Sequence, residues 1–200
     1  SLSFKDNEKI VALLMEYREE ALRLSTYYQQ VADDILWYNE ENQSILRQKQ
    51  QCVVEKKSFN EETVIVGSIK RDEKSYHANL QEVVKEELYQ RPSIRKKYGY
   101  ILNISEISNN RFIKEREYLK IENSSYENIP AENLLTLPGG AYAVFILHII
   151  NETADFSPLL HWLRENNAET DMIFAEEVGL QLFDYISDYY CEIRAHLKQG

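Results

Sequence analysis

Residues 5–50 contain neither glycine nor proline, and their apolar side chains recur every three or four positions. Ile10, Leu14, Tyr17, Ala21, Leu24, Tyr28, Val31, Ile35, Tyr38 and Ile45 form the series, with Asn42 as its one polar member. Placing Leu14, Ala21, Tyr28, Ile35 and Asn42 at the a positions of a heptad puts Ile10, Tyr17, Leu24, Val31, Tyr38 and Ile45 at d, a coiled-coil pattern. At 1.5 Å rise per residue this helix spans about 65–70 Å. A rod of that length cannot bury its own apolar stripe. It either lies along its own domain or pairs with a second copy, in parallel or antiparallel. Tyrosine at three of the seam positions, Tyr17, Tyr28 and Tyr38, departs from the branched aliphatics of a tight parallel dimer and favours antiparallel pairing or contacts to other elements. The expected homodimer interface is Leu14, Tyr17, Ala21, Leu24, Tyr28, Val31, Ile35 and Tyr38.

Residues 1–50 thus read as a dimerisation helix and 51–200 as a second domain, large enough for its own core. The formal charge of −10 argues against non-specific nucleic-acid binding through this chain. Fourteen tyrosines are a large supply of flat apolar rings with polar tips. Cys52 and Cys191 lie far apart and outside any motif, which reads as two reduced thiols in a cytoplasmic protein. No apolar run is long enough to span a bilayer, so no membrane association is expected. The chain opens Ser-Leu-Ser-Phe and enters its helix almost at once, which reads as a piece of a longer protein with a domain upstream.

Beyond the helix, strands are expected over 52–56 and 63–69, with a turn at Phe59–Glu62 between them. Ser75 can cap a helix reaching about Gln90, stopped by Arg91-Pro92. Strands follow over 97–104 and 117–122. The order then repeats: a segment over 132–137, a strand over 141–150, a helix over 158–166 with Pro158 in its first turn, and strands over 172–183 and 189–197. The fold class is α+β: a long N-terminal coiled-coil helix, then a duplicated β-α-β-β unit forming one antiparallel sheet with two helices on one face.

The residues Glu16-Tyr17-Arg18-Glu19-Glu20, the strand opening Leu135-Thr136-Leu137-Pro138-Gly139-Gly140-Ala141-Tyr142-Ala143, and the acidic strand Glu176-Glu177-Val178-Gly179-Leu180 carry a resemblance. In order and spacing the whole chain resembles the C-terminal part of multidrug-sensing MerR-family transcription activators, and its second part resembles the GyrI-like small-molecule-binding domain. The resemblance implies antiparallel pairing of the long helices, and a winged-helix domain before them that carries the promoter DNA contacts and acts with RNA polymerase. It implies a pocket for a lipophilic cationic effector, with an acid at its base and aromatic walls, and no cofactor. By motif position the acid falls on Glu177 and one wall on Tyr142; Tyr189 and then Tyr98 and Tyr100 follow.

Adjacent in a strand, Glu176 and Glu177 point to opposite faces. Continued through Phe183, the strand would put Val178, Leu180 and Leu182 under the helices and Glu177, beside Gly179, on the other face. There a glutamate can simply be solvated, the tyrosines can be ordinary sheet aromatics, and Gly179 can mark a bulge or leave room for a ligand. Trp162 reads as core. His77, His148, His161 and His196 have no metal-ligand spacing, and Cys191 and His196 fall on opposite strand faces. There is no phosphate loop, serine elbow or Cys–His nucleophile pattern. The expectation is a non-enzymatic ligand sensor. Its competitors are a GyrI-like hydrolase using Glu177 as general base, and a protein-binding adaptor.

Overall fold

Helix α1 runs unbroken from Phe4 to Gln48, as a stretch without glycine or proline allows. The computed structural model describes residues 4–48, 53–69, 77–85, 95–121, 126–179 and 187–198. Cys52, the Ser75 cap, the helix beyond Lys85 with its Arg91-Pro92 stop, and the strand continuation over 180–183 lie outside the described residues. No helix among the described residues is long and apolar enough to cross a membrane.

The C-terminal half of α1 lies against the rest of the chain. Asp34 Oδ1 accepts from Arg95 Nε at 2.8 Å, and Glu41 pairs with Lys97. The Trp37 ring takes both cations, Arg95 at 5.9 Å and Lys97 at 5.2 Å from its centroid. Gly179, at φ 83°, permits the close approach: a Cβ there would sit 2.6 Å from Asn42 Oδ1 and 3.1 Å from Ile45 Cδ1. The expected seam therefore divides. Leu14, Tyr17, Ala21, Leu24, Tyr28 and Ile35 are exposed, whereas Val31 and Tyr38 are half-buried. Six of the eight expected interface residues are thus exposed, and two are partly covered within the chain. Asp34, Tyr38, Glu41 and Ile45 recur at helical spacing, and the charges of Arg95 and Lys97 draw that stripe inward.

The remaining elements are β1 (Glu55–Phe59), β2 (Glu62–Ser68), α2 (Ala78–Val83), β3 (Lys96–Leu102), β4 (Lys114–Ile121), β5 (Leu134–Leu137), β6 (Gly140–Ile150), α3 (Ser157–Glu165), β7 (Thr170–Glu177) and β8 (Asp188–Leu197). They form one eight-stranded antiparallel sheet in the order β1-β6-β8-β7-β3-β4-β2-β5. Exchanging each strand for the one four places on in the chain reverses this order onto itself. The expected duplication is thus a pseudo-twofold, with its axis between β3 and β7. Each repeat also sends its leading strand to the other: β1 pairs with β6, and β5 with β2. The first strand starts later than expected and takes in Phe59, whose ring meets Tyr142 edge-on at 5.3 Å.

Both helices cover one face. Helix α3 packs Leu159, Leu160, Trp162 and Leu163 over Phe145, Leu147, Ile173 and Ile193. Its start is held by Asp155, whose Oδ1 accepts from the Ser157 amide at 2.9 Å, with Pro158 in the first turn. Helix α2 seats Leu80 against Ile65 and Leu119, with Val84 of the following turn beside it. Burying each such side chain contributes about 1.5–3 kcal/mol. The opposite face carries a smaller cluster of Val64, Val66, Tyr118, Tyr142, Val144 and Phe174.

Gly99 lies at the centre of the sheet, paired with Tyr118 on one side and Glu176 on the other. The Tyr118 ring crosses over it, and its hydroxyl reaches Glu176 Oε1 at 3.2 Å. A Cβ on Gly99 would lie 2.2 Å from Tyr118 Cζ. Gly99→Ala is therefore expected to destabilise the fold by about 2–3 kcal/mol, read as a lower denaturation midpoint. In a Tyr118→Ala background the same change should cost far less, because the clashing ring is gone.

Candidate functional site

Strand β7 ends on Glu176 and Glu177, and strand register decides where each points. Glu177 pairs with Cys191, and Glu176 with Glu192. Cys191 and Ile193 belong to the core under α3, so Glu177 lies on the helix face. This reverses the expectation that it faces away from the helices. The strand does not run on through Val178 and Gly179; it stops at Glu177. The apolar side chains that do face the helices, Ile173 and Ala175, share the parity of Glu177.

Around Glu177 the helix face gathers side chains from both repeats. Tyr100 of β3 donates its hydroxyl hydrogen bond to Glu177 Oε1. His77, in the turn before α2, sets Nδ1 2.9 Å from Glu117 Oε2 of β4 and Nε2 3.6 Å from Glu177 Oε1. The imidazole stacks on Tyr98 at 3.8 Å with an interplanar angle of 5°, and the Tyr100 ring is 5.9 Å away. Phe112 stands edge-on to both Tyr100 and Tyr189. The Lys114 ammonium lies 4.4 Å from the Tyr100 centroid and 5.3 Å from that of Tyr189, and pairs with Glu152 at 3.1 Å. Glu177, Glu117 and His77 are only 5 %, 6 % and 7 % exposed.

His77 adopts the left-handed conformation, φ 58° and ψ 24°, at a cost of about 1–2 kcal/mol for a residue with a Cβ. Its partners hold it there. Burial by itself lowers the imidazole pKa, but hydrogen bonds to Glu117 and Glu177, and then their charges, outweigh that and raise it above the ordinary 6.5. The two ring nitrogens face different carboxylates, so the trio does not converge on one point as a metal cage does. It is a buried ion triad: two acids, one titratable cation, and stacked aromatic faces. Such a setting favours a flat or delocalised cation, which is cheap to desolvate and gains about 0.5–2 kcal/mol per ring contact.

Of the expected site residues, Glu177, Tyr98, Tyr100 and Tyr189 come together on this face. Tyr142 does not. It pairs with His196, five residues from Cys191 along β8, and so lies on the opposite face. There it packs against Phe59 and Phe174 and donates its hydroxyl hydrogen bond to the Pro138 carbonyl. The Pro138-Gly139-Gly140-Ala141-Tyr142 opening passes close to the β1–β2 connection: a Cβ on Gly139 would lie 2.8 Å from the Glu61 amide nitrogen. Gly179, offered as room for a ligand, makes room for α1.

Sequence reading missed Glu117 and His77. Glu117 left a signal, for it shares its parity in β4 with the buried Leu119 and Ile121 and is therefore an acid at an inward position. His77 left none. It sits in a turn, and its partners lie 40 and 100 residues further along the chain.

On the opposite face Glu176 is neutralised by Lys120 at 2.7 Å and Arg194 at 3.0 Å. Burial works to raise its pKa, but the charges of Arg194 and Lys120 prevail and lower it. The two adjacent acids therefore differ: Glu176 is locked between fixed cations, while Glu177 faces one that titrates.

No protein-family model matches the chain, and no curated protein does. Among solved structures, SAV2435 bound to tetraphenylphosphonium is similar over 72% of this chain and 93% of that one, at 14% identity and a TM-score of 0.34.

A raised imidazole pKa makes the His77 triad stabilising below about pH 6.5, and that contribution is lost as pH rises through the folded-state value. The thermal midpoint should fall as pH is raised from about 6 to about 9. His77→Asn tolerates the left-handed backbone but cannot titrate, and should remove that part of the slope. An unchanged slope in the variant would show that the charge on His77 contributes nothing to stability.

Proposed function

We propose that the domain binds a lipophilic organic cation on its helix face, and that it serves as the effector-sensing part of a cytoplasmic MerR-type regulator that dimerises through α1. The observation that carries this reading is the pair of buried carboxylates, Glu177 and Glu117, set among the rings of Tyr98, Tyr100 and Tyr189. Two acids buried this deeply are costly to leave without a cation, and the rings supply the apolar faces an organic cation needs. The position supports the same reading. The cluster straddles the axis between β3 and β7, so its occupancy bears on how the repeats meet. The duplicated architecture accords with the GyrI-like resemblance of the sequence.

We assign binding rather than catalysis. The Cys191 thiol, opposite Glu177 in the strand register, is pushed well above its ordinary pKa by burial, which keeps it protonated and a poor nucleophile. Dimerisation is supported by the outward stripe of Leu14, Tyr17, Leu24, Tyr28 and Ile35, which is exposed among the described residues.

Tetraphenylphosphonium is a suitable probe because its charge is permanent and delocalised. Its binding should quench intrinsic aromatic fluorescence saturably, and Glu177→Gln should weaken it about tenfold or more, near 1.4 kcal/mol. A neutral triaryl phosphine oxide that binds as well, indifferent to Glu177→Gln, would defeat the cationic reading. Sedimentation equilibrium at micromolar concentration should give a dimer, and Leu14→Asp with Leu24→Asp a folded monomer. A monomeric unsubstituted chain would remove dimerisation from the proposal. Substitutions at Val31 or Tyr38 should instead lower stability, since both are half-buried within the chain.

A further inference from the structure

His77 already occupies, within the chain, the position that a bound cation would seek. Its ring lies face to face with Tyr98 at 3.8 Å, and its two nitrogens address the same two carboxylates that give the site its negative charge. With both acids ionised, the trio carries a net charge of −1 when the imidazole is protonated and −2 when it is neutral. We propose that His77 is the specificity-determining residue of the cation site: its protonated ring is an internal counter-ion, and a ligand cation binds by taking over its place against Tyr98, Glu117 and Glu177. The inference rests on the cation-binding reading above and adds to it a competition between proton and ligand.

The backbone supports such an exchange. His77 is held at positive φ and precedes a short helix, whose first bond inward is from the Gln81 amide to the His77 carbonyl at 2.9 Å. A strained residue gains by leaving when a ligand supplies the same contacts. The raised imidazole pKa agrees with the geometry, because the charged ring is the form the site prefers when no other cation is present. Other groups lie around the ring and its partners. Glu117 and Lys114 come from β4, with Lys114 paired to Glu152, and Glu177 comes from β7. Lys96 and Tyr98 come from β3, the Lys96 ammonium lying 5.5 Å from the Tyr98 centroid with its pKa lowered by burial. Tyr100 of β3, Tyr189 of β8 and Cys191 beside Glu177 complete the surroundings. The Tyr98 phenol and the Cys191 thiol are shifted upward, burial being the largest cause in each, and so away from neutral pH.

The test is titration of the full chain with tetraphenylphosphonium between about pH 6 and pH 8.5, with the protons released on binding counted in buffers of different ionisation enthalpy, for the unsubstituted protein and for His77→Asn. The expected result is an affinity that rises with pH, approaching tenfold per unit while His77 is protonated and levelling off above its pKa. Proton release should approach one per cation at the acid end. In His77→Asn, binding at the acid end should be tighter and nearly independent of pH. Any dependence due to Lys96 or the carboxylates survives in that variant and is thereby separated. Proton release by the unsubstituted protein tests the inference even if the variant fails to fold. Cation binding that is independent of pH and releases no proton would overturn the exchange while leaving the cation site standing. No binding by either protein at any pH would overturn the cation-binding reading itself.

Discussion

Three residue pairs between β3 and β7, Gly99 with Glu176, Tyr100 with Ala175 and Ile101 with Phe174, join the two repeats at their axis. Much of the chemistry of the protein is hung on this join. Because side chains alternate along a strand, the join sends one acid to each face: Glu176 away from the helices and Glu177 toward them. On the first face Tyr118 reaches across Gly99 to Glu176, so a β4 side chain is tied to β7 over the strand between. On the second face Tyr100 reaches Glu177 directly. The exchanged outer strands, β1 on β6 and β5 on β2, bind the repeats again at the rims.

The two acids show how burial is resolved in opposite ways. Removing a carboxylate from water is costly unless charges and hydrogen bonds compensate it. For Glu176 the compensation comes from two close cations, Arg194 and Lys120. For Glu177 part of it is conditional, since the charge of His77 beside it changes within the physiological range. Fixed neutralisation makes a strut. Conditional neutralisation makes a place where something else can substitute.

Helix α1 is joined to this arrangement at its C-terminal half. Arg95 and Lys97, which hold Asp34, Glu41 and Trp37, lie at and just before the start of β3, the strand that carries Tyr98 and Tyr100. Tyr38 is pushed up in pKa by burial and by the charges of Asp34 and Glu41. The helix that presents an apolar stripe at one end is thus tied by ion pairs to the start of the strand that carries Tyr98 and Tyr100.

Features that depend on short stretches were legible in the sequence. The long helix follows from the absence of breakers over residues 5–50, the α3 start from Pro158, and the duplication from the repeated order of elements, because propensity and periodicity act over a few neighbouring residues. The opposition of Cys191 and His196 followed from strand alternation in the same way. Tyr142 and Glu177 were grouped by motif, yet strand pairing sets them on opposite faces, and β7 stops where its pattern suggested it would run on. The seam of α1 divided because Arg95, 61 residues beyond Asp34, draws one stripe inward. His77 joined Glu117 and Glu177 only because β4 and β7 flank β3. Sequence alone determined which elements form and that they form twice. Tertiary structure decided which side each acid faces and which cation meets it, because register and long-range pairing place together residues that have no local relation along the chain.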